Sequence, residues 1–240
     1  MERNDMNSKA SWYDDIYKKH KTGEKECDIS VNNMLKARLL VERIWRSFDL
    51  GPMEDETSVL DLGCGLGFVS EAFREAGGKV LGIDMSSVAI ESARLSFPSV
   101  EYECTSFEEV ICGQRKFDII WALDFSVLNT DDMEAIGNNF IRPCLNILKD
   151  GGILIIGWHT NLTGKRIGNW VHWDNALIRN LKENFRLLGP QVVRFKSAFL
   201  NRTVLHGYQL IGKYGISNFT KSIPLYLLLR KSSIDRHAYI

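Results

Sequence analysis

Three glycines and one aspartate are the residues whose types and spacing indicate chemistry in this chain. Gly63, Gly65 and Gly67 follow the apolar run Ser58–Leu62, and a helical pattern begins directly after them. Glycine lets the backbone turn sharply and lets a ligand come close, and the free N–H groups of a following helix favour negative charge. Asp84 ends the next apolar run, where its carboxylate can accept hydrogen bonds from both vicinal hydroxyls of a ribose. The pattern predicts a phosphate-binding or nucleoside-binding turn.

Apolar runs and helix-like segments alternate around this turn, which predicts βαβ units and a parallel sheet covered on both faces. The expected strands are 58–62, 79–83, 100–104, 117–123, 153–158, 191–199 and 225–229. The expected helices are 34–48, 69–76, 88–97, 132–148 (kinked at Pro143) and 176–185, with an uncertain helical insert at about 201–216.

The glycine turn resembles that of the class I S-adenosylmethionine-dependent methyltransferases, since the chain reads Asp-Leu-Gly-Cys-Gly over 61–65. The segment 116–122 resembles the fourth strand of that family, and 148–154 resembles its entry to the fifth, with Asp150 where the family usually has proline. A nicotinamide-binding GxGxxG turn would have its third glycine where this chain has Phe68, which argues against that class. The resemblance implies an α/β, Rossmann-like fold with a mostly parallel seven-stranded sheet and helices on both faces.

The resemblance also implies a role for each residue around the turn. The glycines would pass beneath the methionine part of S-adenosylmethionine, and Asp61 would shape the turn close to its amino group. Asp84 would hold the ribose hydroxyls, and Met85 would pack on the adenine. The residues expected to bind the cofactor are Asp61, Gly63, Gly65, Gly67, Asp84, Met85, Ser106, Phe107 and Ala122.

Two of these positions differ from the others. One departs from the residue that the family usually has, and the other would act through its backbone. The family often has an aspartate that contacts the adenine amino group, and Thr105 or Ser106 stands at that place here, with Phe107 as an apolar neighbour. Ala122 ends the fourth predicted strand, so its backbone would lie near the methionine moiety.

Asp124 and His159 are the candidate catalytic residues. A methyl acceptor must be aligned with the S–CH₃ bond and kept from water, and an alcohol also needs a base to take its proton. In open α/β sheets the ligand lies beyond the carboxyl ends of the strands. Asp124 follows the fourth predicted strand and His159 the fifth. The alternative is that Asp124 caps its own loop and His159 bonds a backbone carbonyl.

Two aromatic groups have open interpretations. Trp170, His172 and Trp173 either pack a helix onto the core, which is favoured, or stack on a ring of the acceptor. The N-terminal group of Trp12, Tyr13 and Tyr17 either folds over the cofactor or belongs to a surface helix. We expect an N-terminal helical extension over 1–56, the S-adenosylmethionine-binding core over 57–160, and an acceptor-side segment with the last strands of the same domain over 161–240.

Composition narrows the function. The chain of 240 residues has 30 Lys+Arg against 30 Asp+Glu, so its formal net charge is zero and offers no field for nucleic acid. No apolar run could span a membrane, no apolar signal segment follows Met1, and five cysteines lack metal spacing. We therefore expect a cytoplasmic enzyme without a metal, whose partner is a small-molecule or saccharide acceptor and whose oligomeric state is unknown.

O-methylation of a hydroxyl is the preferred reaction on this basis. The alternatives are N-methylation of a small amine, a catalytically silent scaffold that binds S-adenosylmethionine, and a nucleotide-dependent oxidoreductase. Binding of NAD would identify the last of these.

Overall fold

The computed structural model describes residues 3–22, 31–167, 170–187, 194–198 and 223–231. The chain divides into two units, Met1–Phe117 and Asp118–Ile240.

The first unit contains a parallel sheet with helices between its strands. Its strands are β1 (Ser58–Leu62), β2 (Lys79–Asp84) and β3 (Glu101–Cys104). Its helices are α1 (Arg3–Lys21), α2 (Met34–Ser47), α3 (Phe68–Glu75), α4 (Ser87–Ser96) and α5 (Phe107–Ile111). β2 lies between β1 and β3 and is parallel to both.

The register of these strands sets the position of the predicted site. Leu62 of β1 is level with Ile83 of β2, and Asp84 is level with Cys104 of β3. The carboxyl ends of parallel strands meet at one edge, so the glycine turn and Asp84 lie at the same edge of the sheet.

α1 and α2 form the helical part that the sequence predicts before β1. α2 begins after Asn33, whose side chain accepts a hydrogen bond from the N–H of Lys36 at 2.9 Å. Ala37, Val41 and Ile44 recur at helical spacing and are buried, so this face forms part of the core.

The second unit has antiparallel strands at its centre. Its strands are β4 (Phe117–Leu123), β5 (Leu148–Thr160), β6 (Arg166–Ile167), β7 (Trp170–Val171), β8 (Arg194–Ala198) and β9 (Ile223–Arg230). Its helices are α6 (Met133–Ile136), α7 (Arg142–Ile147) and α8 (Asn175–Leu187). The order β4-β5-β9-β8 has β9 antiparallel to both of its neighbours, while β6 and β7 form a separate hairpin.

The helix predicted over 132–148 is interrupted. A π-helical turn at Gly137–Ile141 joins α6 to α7, and Pro143 lies in the first turn of α7. Proline has no N–H to continue the helical ladder and is accepted best in a first turn, which explains a new start there. The predicted kink is therefore a change of helix type.

Other departures from the sequence prediction have similarly local causes. The short helix α5 and the hairpin β6–β7 were not predicted, because elements of two to five residues leave no periodic pattern. β5 is longer than the expected 153–158 and includes the two glycines at 151 and 152. The expected insert at 201–216 lies outside the described residues. The α/β fold with a mostly parallel sheet is confirmed.

Candidate active site

The turn after β1 has the backbone that its glycines predict. Gly63, Gly65 and Gly67 all have positive φ, at 72°, 52° and 83°. The N–H groups of Gly63 and Cys64 both donate to the carbonyl of Ile83 at 2.9 Å, which fastens the turn to the end of β2. Non-glycine residues rarely adopt this backbone, so the turn requires glycine for its conformation.

Two tyrosines also leave no room for side chains in the turn. A Cβ at Gly65 would lie 2.7 Å from the hydroxyl oxygen of Tyr17, which comes from α1. A Cβ at Gly67 would overlap the hydroxyl of Tyr102, which donates to the carbonyl of Gly67 at 3.3 Å. The sequence predicted neither contact, although it did single out Tyr17.

Asp84 is joined to the glycine turn. Its Oδ2 accepts from the N–H of Gly65 at 3.0 Å, and its Oδ1 accepts from the N–H of Ser86 at 2.9 Å. Burial raises the pKa of Asp84 more than these two amides lower it. A carboxylate offers roughly four acceptor positions, so Asp84 keeps capacity for a pair of ribose hydroxyls. Asp84 therefore stays the predicted acceptor for the ribose hydroxyls.

Asp61 is a buried acid beneath the turn. Its side chain is 2% exposed, and Ser70 donates a hydrogen bond to its Oδ2 at 2.6 Å. Burial raises the pKa of Asp61 to about 7, and the charge of Asp84 acts in the same direction. A cation near Asp61 would lower that pKa again, which suits the predicted place beside the amino group of the cofactor.

The expected adenine end of the site is formed by residues on either side of β3. Met85 is half-exposed after β2, and Phe107 is buried at the start of α5. Ser106 caps α5: its hydroxyl accepts from the N–H of Glu109 at 3.2 Å, and its own N–H donates to the Glu109 carboxylate at 3.0 Å. Thr105 donates to the same carboxylate at 2.6 Å. Because this capping box engages both hydroxyls, an adenine contact by Ser106 stays a prediction.

Asp124 and His159 lie together in the second unit. Oδ2 of Asp124 is 2.7 Å from Nδ1 of His159, and Oδ1 accepts from the backbone N–H of His159 at 3.2 Å. Asp124 has a φ of 48°, and its own N–H donates to the carbonyl of Gly157 at 2.9 Å. A non-glycine residue at positive φ is held there by its surroundings, often at functional sites.

This pair differs from both alternatives that the sequence left open. Nδ1 of His159 faces a carboxylate rather than a backbone carbonyl, and the Asp124 carboxylate bonds the histidine rather than its own loop. The bond to Asp124 raises the pKa of His159 against the opposing effect of burial. With its proton on Nδ1, the neutral ring carries its lone pair on Nε2, which is the arrangement of an oriented base.

The tryptophans after β5 are mainly packing groups. Trp173 is fully buried and stacks on Trp158, with ring centroids 5.2 Å apart and an interplanar angle of 20°. Trp170 contacts the edge of Trp158 but is 43% exposed. His172 accepts from the N–H of Asn161 at 3.1 Å through Nδ1, and burial lowers its pKa. His172 is thus a neutral partner of the loop after β5.

The remaining predicted residue, Ala122, is fully buried within β4. Over the described ranges, no three or more His, Cys, Asp or Glu side chains are grouped so that they could hold a metal ion. In the same part of the chain, no helix is both long and apolar enough to cross a membrane.

Comparison with known proteins agrees with the turn and the fold. Residues 59–152 match the sequence model of a family described as "Methyltransferase domain". A ubiquinone biosynthesis O-methyltransferase of Bradyrhizobium sp. (strain ORS 278) is 35% identical over 102 residues, which are 41% of this chain and 38% of that protein. The match thus spans well under half of the curated relative.

Solved structures extend the likeness beyond that segment. Magnesium protoporphyrin IX methyltransferase from Synechocystis PCC 6803, with bound S-adenosylmethionine, covers 95% of this chain and 97% of its own at 15% identity and a TM-score of 0.57. An S-adenosylmethionine-dependent methyltransferase from Clostridium acetobutylicum ATCC 824 covers 90% and 99%, at 15% identity and a TM-score of 0.55. At such identities the likeness establishes a shared fold. Residues 59–152 thus match a methyltransferase domain, and the chain shares its fold with S-adenosylmethionine-dependent methyltransferases.

Proposed function

We propose that the chain binds S-adenosylmethionine at the edge formed by the glycine turn and Asp84. The observation that carries this proposal is the hydrogen bond from Gly65 to Asp84, which builds the turn and the ribose carboxylate as one unit. Gly63, Gly65 and Gly67 would leave room for the methionine part, and Asp61 would face its ammonium. Met85, Phe107, Ser106 and Ala122 complete the proposed binding set.

The proposed reaction is methylation of a hydroxyl on a small-molecule or saccharide acceptor. The cofactor supplies a methyl group activated by its sulfonium. His159 Nε2 would take the acceptor O–H proton as the acceptor oxygen receives the methyl group and the cofactor leaves as the neutral thioether. Asp124 keeps the other ring proton on Nδ1 and stabilises the imidazolium, in the way that a carboxylate orients a catalytic histidine.

Two observations support a hydroxyl over an amine as acceptor. The oriented His159–Asp124 pair offers a base, which an alcohol needs and a neutral amine does not. The curated relatives that match the methyltransferase segment are named as O-methyltransferases. A small amine is the second candidate acceptor. If the acceptor is an amine, methyl transfer should not require the His159–Asp124 pair.

Calorimetric titration with S-adenosylhomocysteine, S-adenosylmethionine and NAD tests the cofactor assignment. Asp84→Ala should lose binding of both sulfur compounds, because removing a buried acceptor of two ribose hydroxyls costs several kcal/mol. An exposed acid, Asp131→Ala, serves as the matched control. Binding of NAD by the wild-type protein would overturn the assignment.

Transfer of labelled methyl from S-adenosylmethionine to a panel of phenols, sugars and amines tests the reaction. His159→Gln should bind S-adenosylhomocysteine normally and lose turnover on hydroxyl acceptors by about 100-fold or more. Full turnover by this variant would remove His159 as the base. An absence of transfer to every acceptor would favour the silent scaffold.

A further inference from the structure

Asp14 of the N-terminal helix α1 is bonded to the start of α4, far along the chain. Its Oδ1 accepts from the hydroxyl of Ser86 at 2.6 Å and from the N–H of Val88 at 3.2 Å. Its Oδ2 accepts from the hydroxyl of Ser87 at 3.2 Å. Three donors from one short segment thus converge on a single carboxylate.

The charge of Asp14 suits this place. Burial raises its pKa, but the hydrogen bonds from Ser86, Val88 and Ser87 outweigh burial, so the pKa lies below its ordinary value. The neighbouring Asp15 has a different environment, since its side chain is 63% exposed and lies 3.8 Å from Lys18. An ion pair that is exposed to solvent contributes little to the free energy of unfolding. The two adjacent aspartates on α1 therefore differ sharply in their contacts.

Ser86 connects Asp14 to the proposed ribose-binding acid. The backbone N–H of Ser86 donates to Oδ1 of Asp84 at 2.9 Å. Its hydroxyl accepts from the N–H of Ala89 at 3.1 Å as the cap of α4 and donates to Asp14. Ser86 is fully buried, so its orientation is fixed by these bonds.

We infer that Asp14 is a positioning residue of the cofactor site, which acts through Ser86 to hold Asp84 in the orientation that binds the ribose. This inference rests on the proposed function. Without the Asp14 carboxylate, the Ser86 hydroxyl loses its acceptor, and the N–H of Ala89 is left to hold its oxygen. The backbone of Ser86 can then move, and Asp84 loses the fixed donor on its Oδ1.

The same helix offers a second route, which the experiment must separate from the first. Tyr17 of α1 lies against Gly65, on the part of the turn expected to face methionine. A change at Asp14 that merely loosened α1 would disturb this contact and weaken binding of the methionine part alone.

Two ligands distinguish the routes: S-adenosylhomocysteine, which has ribose and methionine-derived parts, and 5′-methylthioadenosine, which has the ribose without the amino acid. The variants are Asp14→Ala, Asp14→Asn and the matched control Asp15→Ala on the same helix. Calorimetric Kd values are compared well below the melting temperature of each variant, so that a loss of stability alone does not move them.

Asp14→Ala should weaken both ligands by a similar factor of about ten or more, as expected for loss of a charged hydrogen-bond partner. Asp14→Asn keeps one accepting oxygen for Ser86 and should stay within about threefold of wild type. Asp15→Ala should bind like wild type.

A loss confined to S-adenosylhomocysteine would overturn the inference, because it would place the effect at Tyr17. An equal loss in Asp15→Ala would do the same. If Asp14→Ala does not fold, Asp14→Glu is the second variant. Weaker binding of S-adenosylhomocysteine with unchanged binding of 5′-methylthioadenosine would overturn the inference for that variant too. Failure of the wild-type protein to bind either ligand would refute the proposed function itself, which separates the two failures.

Discussion

The two aspartates at the carboxyl ends of β1 and β2 lie in different environments. Asp61 is enclosed and accepts a hydrogen bond from Ser70, and burial raises its pKa to about 7. Asp84 accepts from the N–H groups of Ser86 after β2 and Gly65 of the turn, which oppose the effect of burial. The pKa of the first acid should therefore respond to a nearby cation, and the second acid is the proposed acceptor of the ribose hydroxyls.

Binding of S-adenosylhomocysteine should release a proton from Asp61. Near pH 6 the acid is mostly protonated, and the ligand ammonium stabilises the carboxylate, so its pKa falls on binding. Calorimetry at pH 6 in two buffers of different ionisation enthalpy measures this release. Asp61→Asn, which can still accept from Ser70, should remove the buffer dependence. Equal heats for the wild-type protein in both buffers would place the ammonium away from Asp61.

Asp124→Asn should shift the pH dependence of methyl transfer. Asp124 raises the pKa of His159, and a base works only when neutral, so the acid limb of kcat/KM should move to lower pH in the variant. The plateau should also fall by about tenfold or more, because the ring loses its orienting carboxylate. The profile is measured against Asp131→Asn, an exposed acid. An unmoved acid limb would mean that His159 does not titrate in the reaction.

The Asp124–His159 pair also makes the free energy of unfolding depend on pH. The pKa of His159 is raised in the folded protein. Its contribution to the free energy of unfolding is therefore fully present below the ordinary histidine pKa, and it is lost as the pH rises through the pKa of the folded protein.

Residue types around the turn were predictable, whereas their partners were not. Gly63, Gly65 and Gly67 are set by local backbone sterics, which sequence spacing records directly. The pairing of Asp124 with His159 depends on adjacent strand ends, so the sequence predicted nearness to one edge and left the roles open. The bond from Ser86 to Asp14 joins α1 to α4 and has no sequence pattern at all.

At the scale of elements, the turn between β1 and α3 is held from two sides. Ile83 fastens it to β2 through two N–H groups, while Tyr102 of β3 closes the space beside Gly67. The element therefore depends on neighbours as well as on its own glycines.

Gly67→Ala should lose cofactor binding and lower the free energy of unfolding by about 2 kcal/mol or more. Its φ of 83° is costly for alanine, and the new methyl group would meet Tyr102. Gly51→Ala is the matched control, since a Cβ there meets nothing within 4 Å. Denaturant unfolding and calorimetry with S-adenosylhomocysteine measure both effects. A Gly67→Ala protein with wild-type affinity would mean that the turn tolerates a side chain on its ligand face.

Element prediction succeeded where apolar runs were long and failed where a few bonds decide the structure. α2, β1 and β4 follow their apolar periodicity closely. α5 exists because Ser106 and Glu109 cap it, and the π-helical turn before α7 reflects Pro143. Such features are set by single hydrogen bonds, which periodicity does not record.

For the whole molecule, the balance of 30 basic and 30 acidic residues has a kinetic consequence. A protein without net charge exerts little long-range attraction on a charged ligand. This property supports a small acceptor over a polyanion such as nucleic acid.

The value of kcat/KM for a small neutral acceptor should change by less than about twofold between roughly 20 and 200 mM salt, because screening by salt varies strongly over that range but acts on charged ligands. Initial rates across that range measure this dependence. A steep decline with salt, on a log–log slope of several units, would indicate a polyanionic acceptor instead.

The fold class was predictable because the alternation of strands and helices up to β4 is regular. The antiparallel position of β9 between β5 and β8 was not, since antiparallel insertion depends on tertiary pairing rather than on pattern.

That position of β9 has a consequence during synthesis on the ribosome. β5 and β9 pair over eight positions, from Ile153 with Arg230 to Thr160 with Ile223, yet β9 is translated long after β5. Until then the edge of β5 that β9 will occupy has unpaired backbone groups beside the apolar side chains Ile153–Ile156. Nascent chains that end before Ile223 would expose an unpaired strand edge that can pair with other chains. We therefore expect the growing polypeptide to bind chaperones until β9 has been synthesised.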